Sequence, residues 1–421
     1  MRIVLNAKTH TFVVNTSNIT APFQSAMGDN LQTVKKLLPS EDILTYSFET
    51  ADKLPCALVY ADGIVNKELL ARLVASPLQS TALKRLLPQK DGGRVASNEK
   101  NTQEKTENAV EQSQLFPEFR TVQTLEDGIN EVLDGNTLLL VEGIACGFIA
   151  GAKLLPVRTI MEPPTDVAVK GPREGFIEDI KTNMALVRKR LKTPHLRFET
   201  LRVGKQSYTA VTLCYLEGTS IASVKDEIKK KLESIEIDNI PDSSYISAFL
   251  APRKHSLFRT VGTTEKPDIF TAKIAEGRVG ILVDGSPIAL TVPYITTEDL
   301  QTSEDYFISP FTATVFRFLR LISLFVAILL PAFYVSAQLF KMQLLPLGLM
   351  LTIASSVREL PLSPSMEMFV VLLLLEILKE ASIRMPKYVG MSLSVVGALV
   401  LGETAVSAGF LSTPSIIIVA F

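Results

Sequence analysis

Four carboxylates, Glu367, Glu376, Glu380 and Glu403, lie in or beside the most apolar part of this 421-residue chain, residues 311–421. A charged side chain at bilayer depth costs about 2.5–3.5 kcal/mol on insertion scales, so it faces a bundle interior, a partner group or a watery path. Glu376 and Glu380 are four residues apart and share a helix face, with Lys379 and Arg384 near enough to neutralise them. Glu367 falls about half a turn off that face. Glu367 and Glu380 read equally well as interfacial or capping groups. Glu376 and Glu403 are expected inside, lining an ion path or fixing a helix contact.

The first 310 residues offer little that could do chemistry. His10, His195 and His255 are scattered and stand beside no nucleophile pattern, and Cys56, Cys146 and Cys214 have no metal-like spacing. Four acid–Gly pairs, Asp62-Gly63, Glu142-Gly143, Glu217-Gly218 and Asp284-Gly285, suggest cation ligands, but no further ligands follow at fixed spacing. They read instead as tight turns in which glycine supplies positive φ and the acid caps. Lys170-Gly171-Pro172-Arg173 ahead of a helix could hold a phosphate. With neither a Walker A pattern nor GxGxxG in the chain, a connecting segment is the better reading. We read the head as non-enzymatic, with no cofactor and no metal.

The elements around these residues follow from pattern. Pro55–Leu78 and Ala210–Ile235 each read as strand, acid–Gly turn and amphipathic helix, and each is followed by a second strand-turn, Asp134–Gly143 and Glu276–Gly285. This predicts a duplicated, two-lobed α/β head. From Phe176 the apolar positions Phe176, Ile180, Met184, Val187 and Leu191 draw one stripe along a helix. Glu174, Glu178 and Asp179 lie near its positive end, and Arg188, Lys189, Arg190 and Lys192 at the other. That basic end suits the dipole, and alternatively lipid or a neighbouring subunit. The expected organisation is an N-terminal lobe over 1–160 with a flexible, polar insertion at 89–114, a linking helix over 161–192, a second lobe over 193–310 and a helical membrane domain over 311–421.

Charge supports this division. The head carries 36 Lys/Arg against 39 Asp/Glu, close to neutral, which argues against nucleic acid as a partner. Residues 1–30 contain no apolar leader segment, so the head is expected to stay in the cytoplasm. Leu321–Leu339 is 19 residues without a charge, long enough for one span. Pro331 lies at its middle and Arg317 and Arg320 mark the cytoplasmic end. Leu344–Ala354 is too short to cross alone and reads as a re-entrant or broken segment, and Met366–Leu378 is again short. Tyr388–Leu411 reads as a second span. On it, Gly390, Ser394, Ala398 and Gly402 recur every four residues, a spacing that lets another helix approach closely. The sequence after Pro414 is too short to span, as though the chain stopped inside a membrane helix.

The blocks EPPTDVAVKGPREGFIEDIKTNMALVRKRLK, RVGKQSYTAVTLCYLEG, TTEKPDIFTAKIAEGRVGILVDGSPIALTVP, SEDYF and EILKEASIRMPKYVG together resemble the A subunit of GerA-type spore germinant receptors. The residues carrying the likeness are Glu162, Gly171, Pro172, Arg173, Glu174, Gly175, Phe176, Asn183, Arg188 and Arg190, then Asp284, Gly285, Ser286 and Pro287. It continues through Glu304-Asp305-Tyr306, Pro361, Glu367, Glu380, Pro386 and Gly390. Lys266 stands where the family has arginine, which removes a bidentate fork. The resemblance implies a multi-pass protein of the spore inner membrane with a two-lobed cytoplasmic head. It would act beside a transporter-like B subunit that binds the nutrient and a C-subunit lipoprotein. Oligomerising A subunits would release monovalent cations. The alternative is a non-conducting scaffold or an accessory germination protein that organises receptor clusters or amplifies ion release.

Overall fold

Each acid–Gly pair closes a strand. In the computed structural model, β2 (Pro55–Ala61), β4 (Thr137–Val141), β7 (Thr209–Leu216) and β9 (Val279–Val283) end at Gly63, Gly143, Gly218 and Gly285, whose φ values are +83°, +86°, +84° and +82°. At Gly63 a side chain is barred twice, because an added Cβ would lie 3.0 Å from both Ala185 Cβ and the Lys181 carbonyl oxygen. The structure describes residues 22–80, 119–154, 171–220, 222–251, 258–341, 343, 346–358, 360–385 and 402–420. The insertion expected at 89–114 lies outside them.

The chain divides into two units, Met1–Asp299 and Leu300–Phe421. In the first, α1 (Met27–Leu37) leads into β1 (Ile43–Glu49) and β2. The helical run α2 follows, made of Lys67–Leu70, a π turn Ala71–Ala75 and Ser76–Ser80. Then come β3 (Phe119–Val122), α3 (Leu125–Leu133), β4 and β5 (Gly147–Ala150). The second half repeats this with α4 (Ile180–Arg190), β6 (Leu196–Val203), β7, α5 (Ala222–Glu233), α6 (Ser243–Leu250), β8 (Gly262–Thr264), α7 (Pro267–Ala275), β9 and β10 (Ala289–Val292). The two sheets have the same antiparallel order, β1-β2-β4-β5-β3 and β6-β7-β9-β10-β8.

Both sheets are covered on both faces, which is why their central strands read as unbroken apolar runs rather than as alternation. In β4, Leu138 and Leu140 pack under α1 and α3, while Leu139 and Val141 face α2. In β9, Val279, Ile281 and Val283 meet α5 and α6, and Leu282 meets α4 and α7. Gly280 leaves room for the Phe270 ring of α7, which a Cβ there would overlap.

The duplication extends to single hydrogen bonds. Asn30 in α1 accepts from Gln24 N–H at 2.8 Å and donates to the Gln24 carbonyl at 2.6 Å. Asn183 in α4, 153 positions on, does the same with Ile177 at 2.9 and 2.5 Å. The Glu142 carboxylate accepts the N–H of Met27 at 2.8 Å, and Asp284 accepts that of Ile180 at 3.4 Å. Gly143 N–H donates to Ser25 O, and Gly285 N–H to Glu178 O, both at 2.8 Å. Two of the acids thus satisfy orphan N–H groups at the start of a helix that faces their turn.

One expectation is corrected here. The stripe from Phe176 does not begin a helix at that residue. Asp179 is the N-cap, its Oδ2 accepting from Thr182 N–H at 2.8 Å, and the helix runs only from Ile180 to Arg190. Phe176 precedes it in extended chain, with its N–H on the Glu265 carbonyl at 2.7 Å and its ring edge-on to Phe270. Side-chain periodicity cannot separate a helix from a segment that packs the same residues just ahead of the cap.

In the second unit, α8 (Pro310–Phe340) is followed by α9 (Leu347–Val357), α10 (Pro364–Arg384) and α11 (Thr413–Ala420). Among the described residues α8 is the one helix long and apolar enough to cross a membrane. Met366–Leu378, a short apolar stretch in the sequence, lies within a continuous 21-residue helix, α10. Of the span expected over Tyr388–Leu411, residues 386–401 lie outside the described part. Residues 402–407 are helical, and Gly409 at φ +68° turns the chain before Leu411.

Candidate functional site

Glu367 is the fully buried member of the four carboxylates of the apolar C-terminal unit, with 0% of its surface exposed. Ser363 caps α10 ahead of Pro364, accepting from Met366 N–H at 3.4 Å, which places Glu367 one turn inside. Its Oε1 accepts the backbone N–H of Ser412 at 2.6 Å, immediately before α11. Ser412 Oγ accepts Ser415 N–H at 3.4 Å and bonds Ser415 Oγ at 2.9 Å, and Ser415 Oγ reaches the Tyr334 hydroxyl of α8 at 3.5 Å. Tyr334, Ile353 and Met368, joined by Val335, Val357, Ile418 and Val419, wall this polar chain with apolar side chains.

A buried carboxylate is expensive unless its oxygens are met, because desolvating an ion in a protein costs several kcal/mol after relaxation. Oε1 is met by an N–H at the positive end of α11. Oε2 is buried and has no hydrogen-bond partner among the described residues, and neither does the side-chain amide of buried Gln338, one turn after Tyr334 on α8.

The other three glutamates are placed differently. Glu376 pairs with Lys379 at 2.6 Å and Glu380 with Arg384 at 2.6 Å, and all four side chains are exposed. Glu403 is exposed as well. Within a single chain, then, Glu376 and Glu403 do not face the interior of the helix bundle. Depth within an apolar run does not choose a face, and within this unit the neighbouring helices cover the Glu367 side of α10. They leave Glu376 beside exposed Leu372, Leu373, Leu375 and Ile377. Of the small-residue face, Gly390, Ser394 and Ala398 lie outside the described residues, and a Cβ added at Gly402 would meet nothing within 4 Å.

The start of α8 is tied down by Asp305, whose side chain is 1% exposed. Its Oδ2 accepts from Arg317 Nε at 3.1 Å and Arg320 Nη1 at 2.8 Å, and its Oδ1 from Arg320 Nη2 at 2.9 Å, while Thr302 completes a capping box with it. Arg320's hydrogen bonds, opposed by burial and joined by Arg317, hold this carboxyl well below the usual aspartate range.

In the head, the basic cluster of α4 is internally paired. Arg188 is 1% exposed. Its Nε and Nη2 both donate to Asp42 at 2.8 Å, with further bonds to the carbonyls of Thr193 and Leu196 and to Ser40 Oγ, and its guanidinium lies 5.1 Å from the Phe198 ring centroid. Lys189 and Arg190 both bind Glu174, at 2.9 and 2.7 Å, and Lys192 binds Asp134. Burial raises the Glu174 carboxyl, but the two cations outweigh it and bring the group below its ordinary value. Glu174, expected at the positive end of the helix dipole, thus serves the opposite end. Each of these four cations thus has a carboxylate partner within the head. Ser40 and Glu41 also cap the edge of β6, accepting from Phe198 N–H at 3.0 Å and Thr200 N–H at 2.8 Å.

The profile of the family described as "Bacillus/Clostridium GerA spore germination protein" matches residues 31–421. The chain belongs to this family. It is similar to spore germination protein B1 of Bacillus subtilis, with 32% identity over 94% of this chain and 79% of that one. It is 30% identical to spore germination protein KA of the same organism, over 92% of this chain and 69% of that one. GerLA of Bacillus cereus is 32% identical over 87% of this chain and 71% of its own. Among solved structures, the N-terminal domain of the A subunit of the Bacillus megaterium germinant receptor GerK3 is 27% identical, covering 66% of this chain and 98% of that one at a TM-score of 0.47.

The GerA-type blocks are mostly packing and capping residues in this chain. Gly171 takes φ +117°, Gly175 and Phe176 are buried, Asn183 and Asp284 form the duplicated caps, and Ser286 binds Asp242 and Ser243 at the start of α6. Pro172 is half-buried and Arg173 exposed in the stretch before α4, Pro287 is half-buried, and Pro361 is exposed ahead of α10. Lys266, at the arginine position of the family block, is 1% exposed, with Asp268 at 3.6 Å. Glu162 and Pro386 lie outside the described residues. Tyr334, Gln338, Ser412 and Ser415 were missed by the sequence reading. The Ser-x-x-Ser spacing ahead of an apolar run is a helix-start signal that could have marked the last two.

Proposed function

We propose that this chain is a membrane subunit of a nutrient receptor in bacterial endospores that helps turn nutrient sensing by a partner into monovalent-cation release. Membership of the GerA germination family across head and membrane unit together, residues 31–421, carries this reading. In it, α8 and the helices after it lie in the spore inner membrane, with the head on the cytoplasmic side. A transporter-like subunit binds the nutrient, and a lipoprotein subunit completes the receptor. The chain acts by changing shape rather than by catalysis.

The open apolar faces of the second unit support a membrane-embedded, self-associating subunit. Phe318, Leu319, Phe325, Ile328, Leu329 and Phe333 of α8 are all exposed, and such faces need lipid or further copies of the chain to cover them. Glu367 supports a role in the cation step, because an inward carboxylate in such a unit is a functional group by default.

The test is germination of spores lacking the gene, followed as loss of refractility with single nutrients and with mixtures. Loss of the response to one nutrient class supports a receptor subunit. A uniform slowing with every nutrient favours the accessory or scaffold role, and an unchanged response contradicts both.

A further inference from the structure

We propose that the space between α8, α10 and α11 is a binding site for one monovalent cation, held by Glu367, Gln338 and the hydroxyls of Tyr334 and Ser415. The inference deepens the proposed role of Glu367 and rests on it. Three observations carry it. Glu367 has 0% exposure and one oxygen, Oε2, without a partner among the described residues. Gln338, also buried, has neither amide atom satisfied. The carboxylate is linked through Ser412 and Ser415 to the Tyr334 hydroxyl, which puts Gln338 on the adjoining turn of the same α8 face.

The donor set selects the ligand. Among the described residues the groups named as ligands present hard oxygens, which suit an alkali or alkaline-earth ion and not zinc or copper, which take nitrogen and sulfur. Among the described residues Glu367 is the one acidic residue of the cluster, and its carboxylate supplies a single negative charge, which balances one monovalent cation. A calcium site draws on several carboxylates or a run of backbone carbonyls. Ser and Tyr hydroxyls can turn lone pairs inward, and the Gln338 amide can present its oxygen. A cation here would supply the positive charge that Oε2 lacks.

The experiment is equilibrium binding of radioactive rubidium and sodium to the full chain in lipid nanodiscs, with choline as the ionic-strength control. The wild type should bind one ion per chain, saturably. Glu367→Gln should bind none, and Gln338→Leu, which keeps the carboxylate and its Ser412 bond, should bind about tenfold more weakly, as expected for losing one ligand. No saturable binding by the wild type, or equal binding by Glu367→Gln, would overturn the site. If circular dichroism shows Glu367→Gln unfolded, Gln338→Leu decides, and unchanged affinity in it overturns the proposal. Spores lacking the gene can still lose a nutrient response in that case, so the germination role is judged separately.

Discussion

Replacing Asp42 with alanine removes the carboxylate that, among the described residues, is bound to buried Arg188, and leaves a guanidinium that is 1% exposed without that counter-ion. Breaking a buried pair from one side costs about 3–5 kcal/mol, because the remaining charge stays desolvated. The surviving bonds to the carbonyls of Thr193 and Leu196 and the stacking on Phe198 keep the arginine in place, so the charge cannot escape to water. At about 2–4 °C per kcal/mol for a unit of this size, the head should melt about 10 °C lower. The same holds for Arg188→Met. The double variant Asp42→Leu with Arg188→Met should recover most of the loss, since replacing both partners of a buried pair by apolar groups is often neutral. The chain has no tryptophan, so circular dichroism and hydrogen exchange at β1 and β6 are the suitable readouts. The difference should be the same in low and high salt, as screening barely reaches a buried pair. A shift below about 3 °C for Asp42→Ala, or a double variant no better than the singles, would refute the reasoning.

Asp305 predicts an acid dependence. Its folded carboxyl is held low, so its contribution is complete above the ordinary aspartate value of about 3.9 and is lost as pH falls below that towards the folded value. Asp305→Asn should therefore be less stable than wild type at pH 7, and the gap should close on acidification below about pH 4; a constant gap would contradict this. Burial, reinforced by the Asp52 charge, pushes the Cys56 thiol up to about 12, and Cys214 is raised well above its ordinary value. With Cys146 also buried, the native chain should not react with a thiol-specific disulfide reagent at pH 8 and should titrate three thiols once unfolded. Gly280→Ala should destabilise the second lobe by about 1–3 kcal/mol through overlap with Phe270, read as a lower melting midpoint.

The repeat was legible because its markers are local. Each acid–Gly pair follows a strand, and the glycines take the positive φ that the turn demands. Sheet order pairs residues as distant as Cys56 and Val141, and the caps from Glu142 to Met27 and from Asp284 to Ile180 join residues more than 100 positions apart, which spacing cannot show. The same limit explains Glu174, whose composition-based assignment to the helix dipole was overruled by ion pairs 15 and 16 positions away. For the glutamates, sequence identified the group but not its inward member. Glu367 is inside because Ser412 brings an N–H to it from 45 positions away. Glu376 and Glu380 found partners within one turn and stay out.

Potassium release from dormant spores after nutrient addition, compared between wild type and spores lacking this chain, tests the central claim most directly. The account predicts that the nutrient sensed through this receptor no longer triggers potassium release, and that restoring the full chain restores it. Release with unchanged lag and extent for every nutrient would contradict it.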